Sequence, residues 1–131
     1  METLRRCEDH AYAALRFMSG WMFAFHGAQK LFGFLAPAEM PPISLLSQIG
    51  VGGVIEFVGG LMIAAGVQTR WAAFLCSGTM AVAYAQFHWK FQFNSAFFPA
   101  VNQGELAVVY CFIFLLIACR GTGRFGLQPG K

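Results

Sequence analysis

The sequence predicts an all-α integral membrane four-helix bundle with antiparallel up-down connectivity and both termini in the cytoplasm. Three observations predict it. Hydrophobic residues make up 57% of the 131 positions and charged residues only 11%, against roughly 45–50% and about 25% in soluble domains. The apolar residues gather in four windows that approach the length of about 20 residues a membrane helix needs. The cationic residues cluster on one side of those windows. The length suits one domain, so residues 1–131 read as a single transmembrane domain.

The first window runs from Tyr12 to Phe34. Arg5 and Arg6 precede it, as in a signal peptide, but Glu2, Glu8, Asp9 and Arg16 argue against cleavage. The second, Leu45–Val67, follows the breaker "PAEMPP". The third is Trp71–Phe91. The fourth, Glu105–Cys119, is short and is extended by "FFPAVNQG" before it. Short links make neighbours in sequence antiparallel neighbours in space. An even number of spans puts both ends on one side. That side holds Arg5, Arg6, Arg16, Arg70, Arg120, Arg124 and Lys131, and the other holds Lys30 and Lys90. The positive-inside rule therefore makes the terminal side cytoplasmic. Arg16 and Arg70 read as anchors there, with Arg16 snorkelling to the interface. Phe87, Trp89, Phe91, Phe93, Phe97 and Phe98 read as an aromatic belt on the outer side, with "FQFNSAFFPAVNQ" as an interfacial outer loop.

The unusual polar residues fall toward the outer side: His26, Lys30, Glu56, His88, Asn102 and Glu105. At about 1.5 Å per residue, Lys30 lies roughly 6 Å below the outer end of its window, His26 roughly 12 Å and Glu56 roughly 16 Å. Gly53, Glu56 and Gly60 share one helix face, and small residues let another helix approach closely. Glu56 is thus expected to face the first window, where His26 and Lys30 satisfy a carboxylate that would be costly unpaired. The expected site is an outward-facing polar pocket for a ligand or a proton. His88, Asn102 and Glu105 would form its upper layer. Each residue also has a plainer reading. Glu56, His26 and Lys30 would clamp helix register, His88 would be an ordinary interfacial histidine, and Glu105 would open its helix against the dipole.

Other chemistries find little support. Cys7, Cys76, Cys111 and Cys119 form no CxxC, and Cys111 and Cys119 lie too far apart on one helix to bridge. They read as small apolar side chains. No metal site is expected, since two histidines on separate spans lack any further ligand pattern for haem. No long basic run or aromatic-basic stripe suggests nucleic acid.

"HGAQKLFGF" (26–34), "GGVIEFVGGLMIAAGVQTRWAA" (52–73), "MAVAYAQFH" (80–88) and "NQGELAVVYCFIFLL" (102–116) together resemble the DoxX family of small four-helix membrane proteins. The tail "GTGRFGLQ" departs from that family's usual ending. The resemblance implies a bacterial inner-membrane, multi-pass protein. It also implies redox-enzyme partners, since relatives are linked to thiosulfate:quinone oxidoreductase or to a complex with superoxide dismutase and a sulfurtransferase. Three functions follow as expectations. The first is a membrane subunit of a quinone-linked oxidoreductase complex, with no cofactor of its own and a quinone head in the polar pocket. The second is a small-solute or proton-coupled transporter, for which four helices would need a homo-oligomer. The third is a non-catalytic assembly scaffold.

Overall fold

A computed structural model describes Met1, residues 5–36 and residues 43–128. The "PAEMPP" breaker and Lys131 lie outside the described residues. Within them the chain is all-helical, with no strand. Helix α1 is Glu8–Phe32, helix α2 spans Gln48–Ala65, and helix α3 is Thr69–Ala83 continued by a π-helical turn, Tyr84–Trp89. A short α4, Pro99–Asn102, follows a single 3₁₀ turn at Ser95–Phe97, and α5 is Glu105–Arg120. The expected windows each shift by a few residues, because capping chemistry sets the ends. Gly33 (φ 63°) closes α1 and Gly66 (φ 73°) closes α2 in the left-handed conformation, and the Ser47 hydroxyl accepts the Gly50 N–H at the start of α2.

Among the described residues one helix, Gln48–Ala65, is long and apolar enough to cross a membrane by length and composition alone. The sequence reading expected four such spans. Helix α1 is long enough but carries Arg16, Ser19, His26, Gln29 and Lys30, while the α-helical parts of α3 and α5 are 15 and 16 residues. The outer loop is also more ordered than an interfacial coil, because α4 and the 3₁₀ turn fold within it.

Helices α1 and α2 meet backbone to backbone. A Cβ on Gly60 would stand 2.5 Å from the Ala24 nitrogen, and one on Gly20 would stand 2.7 Å from the Gly60 carbonyl oxygen. Gly27 lies equally close to Gly53 and Phe57. This is small-residue packing, in which missing side chains permit the approach. Helix α3 joins α2 where Gly59 leaves room for the Cys76 sulfur, and joins α5 where the Ser77 hydroxyl donates to the Cys111 carbonyl at 2.8 Å. Phe23 of α1 closes the core against α5, with ring centroids 4.7 Å from Phe114 and 5.3 Å from Tyr110.

The chain ends gather at one end of this packing. Arg16 is 3% exposed and points inward. Its guanidinium donates to the carbonyls of Ile63, Ala64 and Phe125. The expectation of a snorkelling anchor is therefore corrected. The planar fork reaches carbonyls in the last turn of α2 and in the tail at once, and an outward-facing rotamer would abandon them. Arg70 is exposed and donates to the carbonyls of Ala118, Cys119 and Arg120, capping α5. Residues 121–128 then fold back as a strap. Leu127 and Gln128 donate backbone N–H groups to Ala65 and Gly66, Thr122 meets Thr69 at 2.7 Å, and the Tyr12 hydroxyl donates to Gly121.

Candidate functional site

At the opposite end, the four longer helices surround a cavity of about 770 Å³. Two of the walls carry π-helical turns, Ile55–Gly59 in α2 and Tyr84–Trp89 in α3. Such turns insert one residue into the helical repeat and re-aim the side chains after it; they recur at functional sites. Here one contains Glu56 and the other His88, and both residues line the cavity.

Glu56 is 3% exposed. Lys30 reaches it from α1, with Nζ donating to Oε1 at 2.6 Å. The lysine remains 31% exposed, so it bridges the buried carboxylate and the open part of the cavity. Its stem packs near Gly53, where a Cβ would stand 3.2 Å from the Lys30 Cβ. The other carboxylate oxygen, Oε2, is buried with no hydrogen-bond partner. The Tyr110 hydroxyl is likewise buried and unpartnered, and Tyr110 lines the same cavity. Two polar atoms without partners, on two residues that line one cavity, are a cost that a fully satisfied core would not carry.

The structure gathers His26, Lys30, Glu56 and His88 into this lining. The hydrogen bond to Glu56 comes from Lys30. His26 is half-buried in the wall, and His88 stacks on Tyr84 with Nδ1 3.2 Å from the Asn102 carbonyl oxygen. Asn102 and Glu105 are not in the lining. Asn102 is a loop staple. Its Oδ1 accepts the Gly104 N–H at 2.8 Å, and its amide donates to the Ala96 carbonyl and the Tyr84 hydroxyl. Glu105 is exposed in the first turn of α5, where a carboxylate favours the helix dipole. The lining is also less polar than expected. Phe23, Ile55, Met80, Leu106 and Ala107 stand in it beside the polar groups. Tyr110 was not among the expected site residues, since a tyrosine in an apolar helix looks like core.

No group of three or more metal-ligating side chains occurs among the described residues. The four cysteines are free thiols.

The family model described as DoxX matches residues 11–89, which include most of α1 and all of α2 and α3 with both π-helical turns. A protein of Haemophilus influenzae described as uncharacterized is 36% identical over 136 residues, covering 98% of this chain and 96% of its own. No solved structure matches. The matched segment carries His26, Lys30, Glu56 and His88 together, and the chain belongs to the DoxX family.

Proposed function

We propose that the protein is a multi-pass inner-membrane subunit of a quinone-linked redox complex, built as a four-helix bundle around a head-group site at Lys30 and Glu56. The observation that carries this reading is the pair of unpartnered buried atoms, Glu56 Oε2 and the Tyr110 hydroxyl, in a mostly apolar cavity. One is an acceptor and the other can donate. A quinone oxygen accepts a hydrogen bond, and the reduced hydroxyl donates one, so the pair suits both forms. Bound there, a quinone would supply two-electron, two-proton redox chemistry, with electrons coming from a partner enzyme. Lys30 holds the Glu56 carboxylate in place, and Oε2 is the atom at which a proton would be taken or given. The apolar walls keep bulk water from the pair.

The bilayer setting is supported by the outward faces. Phe17 and Trp21 on α1, Val58 on α2, Phe74 on α3, and Phe112 and Leu116 on α5 are all exposed, so each longer helix turns large apolar side chains outward. DoxX proteins are generally membrane-associated. With native cysteines other than Cys7 removed, a membrane-impermeant maleimide applied to intact cells should label Ser95→Cys and leave Cys7 unlabelled. The reverse pattern would invert the orientation.

The function is tested by binding. Protein extracted in mild detergent should carry quinone or take it up when added. Glu56→Gln should weaken that binding about tenfold while keeping the fold, because one charge-assisted hydrogen bond is lost. Wild-type protein that binds no quinone sinks the reading. Undiminished binding by Glu56→Gln makes the Lys30–Glu56 pair a structural clamp.

A further inference from the structure

The cavity is not closed on its side. Helices α2 and α3 touch where Gly59 meets Cys76, and they are tied again where the Gln48 amide donates to the Gln86 side chain. The Cys76 thiol also donates to the Ile55 carbonyl at 3.8 Å, so between the ties lie 7 residue steps of α2 and 10 of α3, or roughly 10–15 Å of helix at about 1.5 Å per residue. Within that interval each helix carries a glycine that lines the cavity, Gly52 on α2 and Gly78 on α3. A Cβ on either would meet nothing within 4 Å. Glycines elsewhere in these helices, such as Gly53, Gly59 and Gly60, are filled tightly by a neighbour. The two open ones flank a gap instead. Phe74, Leu75 and Val82 border it and are 63%, 55% and 48% exposed on the outer face of α3.

We propose that this gap is a side window through which the ligand enters from the lipid phase, and in which the ligand's apolar tail remains while its head sits at Glu56 and Tyr110. The proposal rests on the membrane and head-group reading above and names the ligand class more narrowly. The ligand is a single-tailed, lipid-soluble molecule whose head bears hydrogen-bonding oxygen. The chemistry of the walls decides this. The inner end offers two unpartnered polar atoms, whereas the window offers glycine, Thr79 and exposed apolar side chains. A freely water-soluble solute would gain nothing from such a passage. The Thr79 hydroxyl is already committed to the Leu75 carbonyl at 2.9 Å, so it presents no free donor to the window. The tie between Gln48 and Gln86 bounds the window toward the outer loop.

The test fills the window without disturbing the helix contacts. Gly78→Leu and Gly52→Leu add bulk where space is open, and Gly78→Ala is the small control. Three probes are titrated into the full chain in detergent: an alkyl-tailed benzoquinone, the same benzoquinone without its tail, and a long-chain alkylphenol. The wild type should bind the tailed probes more tightly than the tailless one. Either Leu variant should lose about tenfold or more for the tailed probes, with little change for the tailless quinone and an unchanged melting temperature. Tailed binding that survives both Leu substitutions overturns the window, and leaves a lipid acyl chain as its occupant. Failure of every tailed probe to bind the wild type overturns it as well. If the alkylphenol binds and is blocked by Leu while the quinones do not bind, the window stands and the quinone assignment fails.

Discussion

Lys30→Met is expected to destabilise the protein by about 3 kcal/mol, because it strands a buried carboxylate. That figure is the low end of the range of about 3–5 kcal/mol for broken buried pairs, chosen because Lys30 is 31% exposed. Glu56→Ala should cost less than Lys30→Met. Lysine has a long stem that can lift its charge toward the interface, whereas Glu56 is 3% exposed and has nowhere to turn. The double variant should recover much of the larger loss, with a coupling of about 1–3 kcal/mol. Denaturation in detergent of the two singles and the double measures it. Losses that simply add would mean that the 2.6 Å contact contributes nothing to stability.

Arg16→Met should be at least as damaging, by about 3–5 kcal/mol, since it removes the donor to three carbonyls at once. It should also free the strap. Phe125 would lose its tie to α1, and trypsin should cut after Arg124, which is exposed, many times faster than in the wild type. Arg16→Lys should fall between, because an ammonium cannot fork across carbonyls as a guanidinium does. A variant with unchanged melting and an uncut tail would show that Arg16 is not what holds the strap.

Some of this was legible in the residues. The spacing of Gly53, Glu56 and Gly60 marks one helix face, because periodicity is a local property that sequence carries directly. Their counterparts Gly20 and Gly27 on α1 sit at similar spacing. Depth along a helix could be counted, which brought Lys30 and His26 toward Glu56. What depth cannot carry is direction. Arg16 has the position of an interfacial anchor, yet its partners include a carbonyl 109 residues away that no local pattern announces. The π-helical turns were invisible for a related reason. They leave composition unchanged and appear only as a slip in phase between Val54 and Gly60 and between Ala83 and Lys90. Glu56 and His88 each lie within such a slip, and both line the cavity. Asn102 and Glu105 were drawn to the site by height alone, before the folded outer loop diverted them.

The strap carries a consequence for biogenesis. In synthesis, Arg16 emerges early and Phe125 follows 109 residues later. At roughly 5–20 residues per second, the guanidinium waits about 5–20 s for its last carbonyl. Through that interval the guanidinium is only partly paired. Helix α2 relieves it first by bringing Ile63 and Ala64. The nascent chain is thus ratcheted in two stages, α1 locking on α2 and then the tail locking on both. A ribosome stalled between Gly66 and Gly121 would hold an intermediate that is assembled at one seam and unlatched at the other.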